Sequence, residues 1–220
     1  MKKLMAVGVA LILLAAAVHA EGERLPRFRN SHFYDGHGKF LVEKAKDAYI
    51  ALMKYHGYPV FPGLREKLVA TDFGTGKFAE CGLGCIMYCN NEKDRYMLMD
   101  LFLLPKQMLP EHWHEATDKN PAKIEGWLVR YGTAHIVGEG DPNLTEEVVI
   151  PPCHAGGTVT VKHEVLASPG DFLTLNRVGA HHWQFGGPEG AILSETATVH
   201  DDAGVRLLDK GMNDAYHGKK

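Results

Sequence analysis

The side chains best equipped for chemistry lie in Pro110-Glu111-His112-Trp113-His114 and in Lys123-Ile124-Glu125, with Glu125 eleven positions after His114. Alternate residues of an extended strand share a face. His112 and His114 therefore present two imidazoles on one side, and Trp113 points the other way. The same alternation groups Lys123, Glu125, Trp127, Val129 and Tyr131 on one face, and Ile124, Gly126, Leu128 and Arg130 on the other. A third imidazole comes from the stretch Gly170 to Trp183. There Pro169-Gly170-Asp171 opens a strand, Gly179 makes a turn, and a histidine begins the next strand, the shape of a second hairpin facing the first. The residues leave both His181 and His182 open as that donor. Three imidazoles and one carboxylate suit Mn, Fe, Co, Ni or Zn, with coordination positions left for ligand oxygens. With 13 histidines in the chain, an H-x-H pair carries little alone; the downstream carboxylate and the second hairpin give it weight. His163, between Val161 and Val165, is read as an additional pocket histidine. His32, His37, His56, His135, His154, His200 and His217 sit in polar or turn contexts and are read as solvated or structural.

The elements that must position these groups are mostly strands. A chain of 220 residues, 45% hydrophobic, suits one domain with a sizeable core. Residues 1–20 are set apart from it: Lys2 and Lys3 precede an apolar run from Leu4 to Val18, closed by small residues, the pattern of a secretory signal peptide. Residues 21–220 are then a single exported domain, with no membrane span after cleavage; an uncleaved anchor over the apolar run is the alternative, against which the run is short and Ala-rich. The formal charge of −3, becoming about −5 without Lys2 and Lys3, argues against nucleic acid as a partner. Apolar residues from Phe40 to Met53 recur at helical spacing, predicting a helix over 39–56 ended by Gly57 and Pro59. Beyond Phe73 the chain reads as short strands punctuated by Gly, Pro, Asn and Asp, an all-β barrel or sandwich. Strands are expected near 84–90, 95–104, 107–114, 123–131, 133–139, 158–165, 171–175, 181–185 and 191–199. Cys81, Cys85 and Cys89 recur every fourth residue, so one strand face would carry all three, and with Cys153 they are read as buried free thiols.

H-x-H, a following Glu, a Pro-Gly-Asp-x-Leu turn and a final His resemble the two-motif layout of the cupins. The finer likeness is to the D-lyxose isomerase-like sugar isomerases. It is carried by Thr71-Asp72-Phe73-Gly74-Thr75-Gly76, Gly57-Tyr58-Pro59, Pro110 to His114, Lys123-Ile124-Glu125, His163-Glu164 and Gly187 to Glu195, and covers most of the chain from Lys39 to Asp209. The resemblance implies an all-β cupin jelly-roll barrel with an N-terminal helical segment. It implies His112, His114, Glu125 and His182 as metal ligands, since His182-Trp183 aligns with the family's histidine-aromatic pair. It also implies manganese as the usual ion, and Lys123 and Glu195 as the proton-shuttling pair. There are departures. Common cupins place the glutamate four or five residues after the second histidine, which leaves Glu115 as the fallback for Glu125. Lys106 stands where a glycine usually opens the first motif, and a sugar-catabolic enzyme would not ordinarily need a signal peptide.

An aldose-ketose isomerase moves a proton between adjacent carbons and another between their oxygens, through an enediolate that a divalent ion stabilises as a Lewis acid. Glu195 shares a face with Ala191, Leu193, Ala197 and Val199. An acid there is costly unless paired or used, and desolvation raises its pKa towards what a base needs; an ion pair with an arginine such as Arg130 is the structural alternative. Lys123 is the candidate acid, its alternative being a solvated lysine at a loop edge. Trp127, Tyr131, Trp183 and Phe185 are read as pocket walls. The expected function is a metal-dependent sugar isomerase of the D-lyxose/D-xylulose kind with a small sugar as substrate. The alternatives are an exported cupin that binds a sugar or small acid without catalysis, and an iron cupin oxygenase. Cupins often pair through sheet edges, so a homodimer is one assembly open to the chain, and the sequence itself leaves the oligomeric state undecided.

Overall fold

The computed structural model describes residues 25–219, so the leader read at 1–20 lies outside the described residues. A 3-10 turn at Asn30–His32 leads into helix α1 (Val42–Tyr55), and a short α2 follows at Leu64–Lys67. Nine strands come next: β1 (Val69–Thr71), β2 (Leu83–Asn91), β3 (Tyr96–Leu103), β4 (Met108–His114), β5 (Glu125–Gly138), β6 (His163–Ala167), β7 (Phe172–Thr174), β8 (His182–Ala197) and β9 (Val205–Leu207). Helix α3 (Lys210–Tyr216) follows β9.

All nine strands belong to one curled sheet whose paired strands run antiparallel. The long strand β8 organises it. One edge of β8 runs along β5 for almost its whole length; the other meets β4 through His182–Phe185 and then β3 through Ala191–Ala197. β6 and β7 both add to β5, and β9 adds to β4.

Period-2 alternation divides the strand residues between two cores. Met97, Met99, Leu101 and Leu103 of β3 point into the barrel with Trp127, Val129, Trp183, Phe185 and Leu193. Phe102 and Ile192 point outward, where with Ile86 and Leu104 they meet Ala45, Tyr49, Leu52 and Met53 of α1. α1 thus explains why residues 100–103 of β3 are buried on both faces. The helix lies very close to the sheet. A Cβ at Gly84 would come 2.5 Å from the Tyr49 ring, so that position needs glycine for packing.

Several sequence expectations change. The strands expected at 123–131 and 133–139 are one strand, β5, as are those at 181–185 and 191–199, which form β8. At Gly187-Pro188-Glu189-Gly190, in the gap between the two expected strands, the chain only bulges opposite Thr133 and continues. A register shift between Val129 and Tyr131 breaks the predicted face, so Tyr131 packs on the α1 cluster and does not line the barrel. Cys81 lies outside β2 and a further shift separates Met87 from Cys89, so the three cysteines do not share a strand face. All four cysteines are free; Cys81 is buried and the others half-buried.

Lys106 keeps its glycine-like conformation. In Leu104-Pro105-Lys106-Gln107 the Gln107 N–H donates to Leu104 O at 3.0 Å and Lys106 has φ +60°, the type II pattern with proline first and left-handed backbone second. The side chain is exposed, so Lys106→Gly removes left-handed strain without removing packing. It should raise stability by about 0.5–1 kcal/mol after the entropy cost of glycine, or ~1–4 °C in Tm. Differential scanning calorimetry checks this, and an unchanged or lower Tm refutes it.

Candidate metal centre and catalytic pocket

His112 and His114 end β4, Glu125 begins β5 and His182 begins β8. His112 and His182 are direct cross-strand partners, with ring centroids 4.1 Å apart, so the two histidine motifs meet side by side in one sheet and do not face each other as opposed hairpins. One ligand atom from each of His112, His114, Glu125 and His182 lies within 4.8 Å of every other. Ligands about 2.1 Å from an ion on opposite sides are ~4.2 Å apart, so contraction of less than an ångström closes the group on one centre.

The donor atoms are arranged as ligands. His112 Nδ1–H donates to Pro110 O at 2.8 Å and His182 Nδ1–H to Ala180 O at 2.9 Å, which fixes the tautomers and leaves both Nε2 lone pairs inward. Glu125 Oε1 lies 3.0 Å from His114 Nε2 and 2.9 Å from His182 Nε2, yet none of the three atoms is aligned for a hydrogen bond. Buried lone pairs facing one another so closely are unfavourable unless a cation joins them. The residues therefore fit a divalent ion.

His181 turns away. It stacks on Trp113 with ring centroids 4.1 Å apart and bonds Glu111 Oε1 at 2.9 Å, so of the adjacent pair it is His182 that enters the group. Glu115, the fallback carboxylate, pairs at the surface with Arg206 at 2.9 Å.

Burial drives the His112 pKa well below the ordinary value, and the His114 pKa down to about 4. Against the cost of its own burial, Glu125 is held well below the usual carboxylate range by Lys123 and the imidazoles. An unshifted histidine would cost about 30-fold in metal affinity at pH 5 through proton competition. His112 and His114 avoid that cost because they stay neutral. The loss from pH 7 to pH 5 should thus remain below ~100-fold, where three ordinary histidines would lose roughly 10^4. Competition titration with a chelating dye across this range decides between the two.

Beside this group Lys123 is 4% exposed. Its Nζ donates to Glu125 Oε2 at 2.5 Å and to Glu195 Oε1 at 2.8 Å, and reaches His200 Nδ1 at 3.4 Å. The lysine is therefore no solvated edge residue, and Glu195 pairs with it while Arg130 is exposed on the other face. One ammonium now serves two buried carboxylates. Glu125 keeps its charge, and burial pushes Glu195 up to about 8.

His200 is the residue that sequence reasoning missed. Its Nε2 faces Asp202 Oδ1 at 3.1 Å, and Asp202 also accepts from Tyr216 O–H at 2.6 Å. With Nε2–H donating to Asp202, the Nδ1 lone pair is the one turned to Lys123. His200 lies just past the end of β8, where strand parity gives no signal.

A cavity of about 70 Å³ is lined by His112, His114, Lys123, Glu195 and His200 together with apolar side chains. A second cavity, of about 310 Å³, reaches the imidazole group through His182 and Trp127 and takes in His163, whose Nδ1 bonds Asp141 O at 2.9 Å.

A curled antiparallel barrel with three histidines and a glutamate gathered inside its strands defines a cupin-type site with the donors to hold a metal ion. No family model matches the chain. A curated relative, the D-lyxose ketol-isomerase of Cohnella laeviribosi, is 35% identical over 159 residues, 72% of this chain and 85% of the relative. The D-lyxose/D-mannose isomerase of Thermosediminibacter oceani is 32% identical over 164 residues, 74% of this chain and 88% of the relative. Among solved structures, the L-ribose isomerase of Cellulomonas parahominis shares the fold, with TM-score 0.60 and 14% identity over 83% of this chain and 96% of that one. The chain belongs to the D-lyxose ketol-isomerase family, a family of aldose-ketose isomerases.

Proposed function

We infer that this protein interconverts an aldose and a ketose of the D-lyxose/D-xylulose kind, with a divalent ion held by His112, His114, Glu125 and His182, manganese foremost, and with Lys123 and Glu195 moving the protons. When bound, the ion supplies Lewis-acid polarisation of two adjacent substrate oxygens. Glu195, desolvated and raised to about 8, is a base strong enough to take a carbon-bound proton and return it to the neighbouring carbon. Lys123 exchanges the proton on oxygen. The longest of its three contacts, the 3.4 Å one to His200, is the contact a substrate oxygen displaces at least cost. Burial keeps water from competing for either proton.

The observation that carries this reading is Lys123 held between Glu125 and Glu195, so that proton carriers and metal donors share one cluster. The test is to purify the protein, determine its bound metal, and follow D-lyxose to D-xylulose conversion after chelation and after reloading with Mn, Co, Ni, Zn or Fe. Conversion that survives complete chelation defeats the metal assignment. Dioxygen uptake in place of conversion would point to an oxygenase, and ligand binding without turnover to a capture protein.

The Lys2-Lys3 leader supports export, which amino-terminal sequencing of protein recovered outside the cytoplasm tests. The exposed β1 edge, where Val69 is 56% accessible, supports pairing of two copies. Light scattering on the eluted protein tests that.

A further inference from the structure

Phe73 has φ +53°, a left-handed backbone conformation that a residue with a bulky side chain adopts only when its surroundings impose it. They do so here. Phe73 N–H donates to Thr71 Oγ1 at 3.0 Å. The buried Asp72 carboxylate accepts from Gly74 N–H at 3.0 Å, from Gly76 N–H at 3.2 Å and from Tyr34 O–H at 2.7 Å, and Thr75 Oγ1 donates back to Asp72 O at 2.8 Å. From the other side the loop lies against α3, since a Cβ at Gly74 would fall 2.8 Å from Ala215 Cβ. The strain delivers the Phe73 ring, 6% exposed, into the wall of the 70 Å³ cavity that holds Lys123 and Glu195.

Small-molecule sites usually begin at roughly 300 Å³, so in a cavity this small one aromatic ring decides how much carbon chain fits. Of the other apolar lining residues, Leu83, Met99, Leu101, Leu109, Val205 and Leu207 stand on paired strands and are fixed by the ladder, and Tyr216 ends α3 with its hydroxyl tied to Asp202 at 2.6 Å. Phe73 is the lining residue presented by a strained loop. The backbone that carries its ring cannot shift without breaking the contacts of Asp72 and Thr71.

We propose that Phe73 sets the length of sugar the site accepts, favouring five-carbon over six-carbon chains; this rests on the isomerase reading above. With the reacting carbons at Lys123 and Glu195, the unreacting end of the substrate extends along the remaining lining, and the ring limits it by size. One additional carbon in a tight apolar pocket is worth roughly 10–200-fold in discrimination.

The test uses metal-loaded protein as parent, Phe73→Ala and Phe73→Leu, and reads kcat/KM for D-lyxose and for D-mannose, its six-carbon homologue. Binding of a pentitol and a hexitol, which cannot isomerise, is measured alongside by calorimetry. Phe73→Ala should raise the hexose-to-pentose ratio about tenfold, with the hexitol-to-pentitol affinity ratio moving the same way and Phe73→Leu falling between. A rise below threefold in folded variants overturns the proposal, and the leucine variant decides if the alanine variant does not fold. If the parent converts neither sugar, the isomerase reading fails, while the polyol ratio still judges Phe73.

Discussion

Glu195→Gln is expected to lower kcat by about 10^2–10^4 while leaving metal content and Tm unchanged. The variant keeps a carbonyl oxygen where Glu195 Oε1 now accepts from Lys123 Nζ at 2.8 Å, so the lysine stays in place. What is lost is the basic electron pair. The pH profile gives a second readout with a definite sign. A base works only when deprotonated, and burial lifts Glu195 to about 8 in the metal-free protein. A divalent ion nearby favours the carboxylate and moves that value down. Parent kcat/KM should therefore climb with rising pH on a limb at or below about 8, and the residual activity of the variant should lack that limb. A loss smaller than tenfold, or a limb that persists in the variant, would remove Glu195 from the proton-transfer role. The metal measurement separates chemistry from assembly, since the amide is not one of the four gathered donors.

How much of this was legible in the sequence differs from group to group, for physical reasons. The donors were legible because strand parity is strict wherever no bulge intervenes. His112 and His114 flank Trp113 on β4, and Glu125, Trp127 and Val129 alternate on β5 up to the first register shift. Just beyond that shift parity fails, and Tyr131 goes to the helix side. The α1 pattern was legible because a single buried stripe imposes its period. Strand ends were not, because β5 and β8 absorb their glycines as bulges where isolated dipeptide signals suggest turns. The three-residue strands β1 and β9 are too short to display alternation and exist through pairing with β2 and β4. His200 and Phe73 are tertiary facts. One acquires its role from Asp202 and Tyr216, the other from an Asp72 loop braced by Tyr34 and α3, and no local period announces either.

Glu125→Gln should separate metal binding from folding with the largest effect of any single substitution at the centre. Glu125 is the only anion among the four donors, and its Oε1 lies within 3.0 Å of two imidazole nitrogens. Removing the charge from one member of a buried ionic group costs about 3–5 kcal/mol, which corresponds to a loss of roughly 10^2–10^4 in metal affinity. The metal-free fold should suffer less. With residue 125 neutral, Glu195 becomes the sole counter-charge to Lys123, releases its proton and keeps the ammonium paired at 2.8 Å. The contrast is visible in thermal melts. At a metal concentration of 1,000 Kd the parent gains about 4 kcal/mol from binding, equivalent to ~8–16 °C in a domain of this size. At that same concentration the variant should gain at most ~6 °C. If Glu125→Gln melts well below the metal-free parent, the carboxylate acts chiefly as a structural partner of Lys123. If it retains the full metal-dependent rise, Glu125 is not a ligand and the centre must be rebuilt from the imidazoles alone.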